Sequence, residues 1–65
     1  MIRVNDEGVE HEPGLTVAAL LVRQGFAAAM VAVWVNDEFV RRSDYALAAV
    51  PDDADVTIVL MAPGG

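Results

Sequence analysis

Val31-Ala32-Val33-Trp34-Val35-Asn36-Asp37-Glu38-Phe39-Val40 is the stretch that decides the fold. From Ala29 to Asn36 the chain carries no charge, which suits a strand covered on one face by a helix and partly covered on the other. Asn36-Asp37-Glu38 supplies turn chemistry, and Phe39-Val40 then reads as a short returning strand.

The covering helix lies upstream. Thr16 suits an N-cap, and Val17, Leu20, Leu21 and Gln24 follow it at the i, i+3, i+4, i+7 spacing of one helical face. Gly25 ends the helix as the residue past the cap. About two and a half turns are too few to persist alone, so the leucine stripe must pack on a sheet. Phe26-Ala27-Ala28-Ala29-Met30 reads as the connection into the central strand. Earlier still, Ile2 and Val4 alternate with Arg3 and Asn5, Asn5-Asp6-Glu7-Gly8 reads as a turn, and Val9-Glu10-His11-Glu12 as the second arm of a hairpin. That pattern places Ile2, Val4, Val9 and His11 on one face, and Pro13-Gly14 ends the arm.

Downstream, Arg41 to Ala49 shows no strand alternation, and Ser43 is a candidate cap for a single helical turn through Asp44, Tyr45 and Ala46. Val50-Pro51-Asp52-Asp53-Ala54-Asp55 is a turn, and Val56-Thr57-Ile58-Val59-Leu60 the last strand. The order strand, strand, helix, strand, short strand, strand defines an α+β domain over residues 1–60, with the helix across one sheet face.

Composition narrows the function. At 65 residues the chain is one domain near the lower size limit for folding without staples, and with no cysteine it has neither disulfides nor thiolate metal sites. A net charge of −6, with four arginines and no lysine, argues against nucleic acid and favours a basic protein surface as partner. No apolar run reaches the roughly 18–20 residues of a membrane span, and Met1-Ile2-Arg3-Val4 lacks the regions of a signal peptide. A cytoplasmic protein with no membrane association is expected.

Residues 61–65, Met61-Ala62-Pro63-Gly64-Gly65, read as a flexible C-terminal tail that ends in two glycines. Without Cβ atoms the pair can thread a narrow channel and take backbone angles closed to other residues. Five extended residues carry the terminal carboxylate about 17 Å beyond the strand. The alternative reading is an ordinary frayed chain end.

Three stretches together resemble a known family. Val33-Trp34-Val35-Asn36-Asp37-Glu38-Phe39-Val40-Arg41-Arg42-Ser43-Asp44-Tyr45-Ala46, then Asp52-Asp53-Ala54-Asp55-Val56-Thr57-Ile58-Val59, then Gly64-Gly65 follow the pattern of the small sulfur carriers of thiamine biosynthesis (ThiS). Thr16-Val17 and Leu20-Leu21 fall where that family begins its helix, so the resemblance spans the chain. Asp37 and Ala54 depart from it, standing where the family favours glycine, and Pro63 is closer to the tail of the molybdopterin-synthase small subunit (MoaD), a relative.

The resemblance implies a ubiquitin-like β-grasp fold with a four- to five-stranded mixed sheet. It also implies chemistry at Gly65, with Gly64 beside it. A ubiquitin-activating-type adenylyltransferase (ThiF-like) spends ATP and magnesium to convert the Gly65 carboxylate into an acyl-adenylate. Sulfur from a donor such as a cysteine desulfurase displaces AMP, and the resulting thiocarboxylate passes its sulfur to a thiazole synthase (ThiG-like). On this reading the chain is a protein co-substrate and not an enzyme, carries no bound cofactor or metal, and is a monomer when free. An activated acyl group is open to amines and thiols, and a chain without Lys or Cys offers only its N-terminus as a competitor. A MoaD-like carrier, a protein modifier joined to lysines, and a non-covalent binding module are the alternatives.

Strand parity suggests where partners bind. If Val31, Val33, Val35, Ile58 and Leu60 face the helix, then Trp34, Val59 and Met61 emerge on the other face with Thr57. In a β-grasp sheet the third and fifth strands are neighbours, so these residues form an apolar patch leading to Ala62 and Pro63. Phe39, Tyr45 and Leu47 read as packing residues. His11, the only histidine, has no second ligand in view and reads as a strand residue. Asp52, Asp53 and Asp55 lack the glycine and closing glutamate of a calcium loop, and no Ser-His-Asp set is present. Arg41 and Arg42 read as surface residues facing an acidic partner or Asp44.

Overall fold

The computed structural model describes residues 1–61. Five strands form one mixed sheet: β1 (Ile2–Val4), β2 (Glu7–Val9), β3 (Val31–Val35), β4 (Glu38–Val40) and β5 (Asp55–Leu60), in the order β2-β1-β5-β3-β4. The two hairpins lie outermost, and β5 inserts between them, parallel to β1 and antiparallel to β3. The helix α1 (Val17–Gln24) supplies Val17, Leu20 and Leu21 to the core. They meet Ile2, Val4, Val31, Val33, Val56 and Ile58 from the sheet, with Tyr45, Val50 and Ala54 closing one side.

The helix begins and ends as the sequence predicts, and tertiary contacts complete it. Thr16 Oγ1 accepts from Ala19 N at 3.2 Å. The two preceding amides, Val17 N and Ala18 N, donate to the carbonyls of Ala48 and Tyr45, each at 2.9 Å. The loop after β4 therefore satisfies donors that a free helix would leave to water. Gly25 ends the helix at φ 79, where its N–H bonds Val22 O and the N–H of Phe26 bonds Leu21 O, the paired closure that a left-handed residue permits. Ser43 does not act as a cap: the 3-10 turn covers Arg42–Asp44, with Arg41 in the capping position and no side-chain hydrogen bond. A second 3-10 turn, Ala28–Met30, leads into β3, which starts at Val31 and not at Ala29.

Both hairpin turns are tighter than their sequences suggest. Asn5 and Asp6 have φ of 50° and 70°, Asn36 and Asp37 have 51° and 67°, and each pair alone makes a two-residue turn. Glu7 and Glu38 are therefore the first residues of their returning strands. Asp37 fills a position where glycine is the favoured residue and adopts the left-handed conformation that an Asp tolerates. Ala54 is buried, and positive φ falls on its neighbour Asp53 instead. His11 lies beyond β2, and its Nε2 sits 2.8 Å from the Val50 carbonyl oxygen, which can only accept.

The two turn asparagines also hold β5. Asn36 Oδ1 accepts from Asp55 N at 2.9 Å, at the start of the strand. Asn5 brackets Ile58, with Oδ1 accepting from Ile58 N at 2.8 Å and Nδ2 donating to Ile58 O at 3.0 Å. Of β5, β1 pairs only with Asp55 and Val56, so the Asn5 amide stands where its next backbone group would be. Asn5→Ala removes both bonds and places a β-carbon residue without a local hydrogen-bonding side chain at φ 50°; the expected cost is about 2–3 kcal/mol. Thermal unfolding should show a Tm lower by roughly 10–20 °C for a domain this small, and Asn5→Gly, which relieves the backbone alone, should recover only part of it.

Candidate functional site

The face of the sheet opposite α1 is the candidate site, and residue parity builds it. In β5, Val56 and Ile58 are buried while Asp55, Thr57 and Val59 point away from the core. The pairing places Thr57 opposite Trp34, Val59 opposite Ala32, and Trp34 opposite Phe39. Trp34 is half-buried, and its ring meets Phe39 edge-on with centroids 5.4 Å apart and planes at 62°. Val59 and Met61 are each 46 % exposed. Toward β1 the apolar surface ends at a charged border, where Arg3 Nε and Nη2 donate to Asp55 Oδ1 and Oδ2 at 3.0 and 3.1 Å.

Trp34, Val59 and Met61 thus share one face, as strand parity predicts. Val35 is partly buried against the core, whereas Leu60, expected to face the helix, is 66 % exposed. It lies opposite Val31 at the very end of β5, four residues past the last β1 pairing at Val56. Ala62, Pro63, Gly64 and Gly65 lie outside the described residues.

Two packing expectations are overturned. Tyr45 is buried, but Phe39 is 60 % exposed and Leu47 is 82 % exposed. For Phe39 the cause is turn length. A three-residue turn through Glu38 would put Phe39 opposite Val35, on the core side; the two-residue turn puts it opposite Trp34, on the open face. Two positive-φ-tolerant residues in a row, Asn36-Asp37, were the signal that could have set this register. Leu47 sits in the loop that follows the Arg42–Asp44 turn, outside any strand or helix.

The chain leaves the sheet from a fixed point. Met61 N donates to Met30 O at 2.8 Å, so the first residue of the tail is still held by the backbone preceding β3. At the opposite end of the chain, the Met1 ammonium donates to Asp52 Oδ1 at 2.6 Å. That hydrogen bond raises the amine's pKa and lowers that of the Asp52 carboxyl. Tyr45 OH donates to Val31 O at 3.3 Å, and burial pushes its pKa up against the opposing charge of Arg42. Among the described residues no group of three or more His, Asp or Glu is placed to hold a metal ion, and no helix is long and apolar enough to cross a membrane.

A helix against one face of a five-stranded sheet, with a parallel pair at its centre and a chain that exits from the central strand, defines a ubiquitin-like β-grasp domain. The model of the ThiS family matches residues 2–65, and the chain belongs to that family of small sulfur carriers. The fold is similar to the crystal structure of the thiamine biosynthesis protein ThiS from Geobacter metallireducens, with a TM-score of 0.79 and 28% identity over 98% of this chain and 97% of that one. No curated protein matches the sequence.

Proposed function

We propose that this carrier delivers sulfur for thiazole formation in thiamine biosynthesis, through a thiocarboxylate at Gly65. The observation that carries the reading is the family match, which runs through the terminal Gly64-Gly65 on a chain whose last strand is the centre of the sheet. A carboxylate is a poor acyl donor because its charge is delocalised and oxide is a poor leaving group. In the proposed sequence an adenylyltransferase joins the Gly65 carboxylate to the α-phosphorus of ATP and releases pyrophosphate. The outer sulfur of the donor's persulfide then displaces AMP to give an acyl disulfide, and a thiol reductant cleaves its S–S bond to leave the thiocarboxylate. The thiocarboxylate goes on to a thiazole synthase. ATP and magnesium act in the partner enzymes, and the carrier itself holds no cofactor.

This chain's residues contribute presentation and chemical silence. β5 is paired on both sides, and the Asn5 and Met61 hydrogen bonds hold its last residues, so the tail starts from a defined place. Trp34, Phe39, Val59 and Met61 offer an apolar surface beside that exit, with Trp34 as its anchor. The chain has no Lys or Cys to attack its own activated end, and hydrogen bonding to Asp52 favours the protonated, non-nucleophilic form of the Met1 amine.

The test is reconstitution with an activating enzyme, ATP, magnesium and a sulfur donor, read by intact mass. A gain of about 16 Da, oxygen replaced by sulfur, localised to Gly65 by fragmentation and reactive with a thiol alkylator, is the expected result. ATP-dependent attachment to lysines of other proteins with no such species would point instead to a protein modifier.

A further inference from the structure

A groove of about 360 Å³ lies beside the exit of the tail, and it has a structural cause. β4 pairs with Val33, Trp34 and Val35 only, so Val31 and Ala32 have no strand neighbour on that side. Tyr45 OH caps the Val31 carbonyl on this bare edge, and the adjoining turn contributes only the methyl groups of Ala28 and Ala29. Small side chains along an uncovered strand leave a hollow. Phe39, Met61 and Arg42 complete its lining, Arg42 being the one charged residue there.

The charge of Arg42 is unusual for this molecule. Ten acidic residues outnumber four arginines. Arg3 is paired with Asp55, and Arg23 with Glu12 at 3.6 Å. Among the described residues Arg41 and Arg42 make no ion pair, and both are exposed. The nearest acidic residue in sequence, Asp44, shares their 3-10 turn without bonding either guanidinium. A guanidinium without an ion-pair partner in the lining of an apolar hollow is complementary to a carboxylate adjoining an aliphatic side chain. Met61 both lines the groove and begins the tail, which puts the groove within four residues of Gly65 in sequence.

We propose that this groove is a docking point for the protein that receives the tail, filled by an aliphatic side chain whose neighbouring carboxylate pairs with Arg42. The inference rests on the carrier reading and adds the partner chemistry that would recognise this chain. It assigns Arg42 to partner selection rather than to stability or to the acyl chemistry.

The experiment measures binding of the full chain to its organism's activating-type adenylyltransferase and thiazole synthase, with wild type, R42E, R41E and A29L, each first checked for an unchanged unfolding transition. R42E should weaken binding to at least one enzyme by roughly 30-fold, because reversal replaces attraction by repulsion. A29L, which fills the hollow, should weaken the same complex by about tenfold, and R41E, outside the groove, by less than about threefold. Added salt should weaken the wild-type complex more than that of R42E. Wild-type-like binding of R42E to both enzymes would overturn the proposal while leaving the carrier function intact. Equal losses for R41E and R42E with A29L unaffected would also overturn it, in favour of a general charge effect. If the wild type is neither bound nor thiocarboxylated, the carrier reading falls and the docking proposal falls with it.

Discussion

Deletion of Gly65 is expected to lower the rate of adenylation by about 100-fold or more while leaving the folded domain as stable as before. The truncated chain still ends in a carboxylate, on Gly64, so the reacting group is not removed but withdrawn. One extended residue shortens the reach by roughly 3.4 Å. Misplacement of about 1 Å can already cost on the order of 100-fold when a reaction depends on alignment, and the carrier cannot slide forward while β5 is held by β1, β3 and Asn5. Every residue of the buried core lies between Ile2 and Ile58, so thermal unfolding should not move. The measurement is single-turnover pyrophosphate release with the activating enzyme. Adenylation of the truncated chain at the wild-type rate would remove the carboxylate position from the mechanism and with it the proposed function.

The second large effect concerns the core. Leu20 is fully buried on α1 and meets the sheet, and Leu20→Ala should cost about 2–5 kcal/mol, the loss of transfer free energy together with the cavity left behind. A 65-residue domain has roughly 3–10 kcal/mol of stability in total, so the variant should be partly unfolded at physiological temperature. Val22 provides the control. It lies on the same helix at 78 % exposure, and Val22→Ala should change stability by no more than about 0.5 kcal/mol. Denaturant unfolding followed by Trp34 fluorescence distinguishes them. Equal small effects at both positions would mean that the helix does not seal the core.

These two predictions draw on different ends of the molecule, and the sequence exposes them unequally. The helix is legible because its determinants are local: Thr16, the leucine stripe and Gly25 lie within ten consecutive residues and act on one another directly. The open-face patch is half legible. Period-2 alternation puts Trp34 and Val59 on the same face, but Phe39 depends on whether the preceding turn has two residues or three, a difference of one that reverses the face of every residue after it. Ser43 fails as a cap because the turn begins one residue earlier, at Arg42, and closes on Tyr45, a residue buried in the core.

The sequence by itself determined the α+β class, the single helix with both its ends, the apolar strand that crosses the sheet and the glycine pair at the terminus, because each is written in spacing or in residues with restricted backbone choices. Tertiary structure alone decided three things. Asn5 serves as a surrogate strand for Ile58, a partner 53 positions away. Leu60 is exposed although its parity matches that of the buried Val56 and Ile58. The groove beside Arg42 exists because β4 ends before Val31. All three depend on which distant segment pairs with or covers a residue, and that is a property of the assembled sheet that no local pattern carries.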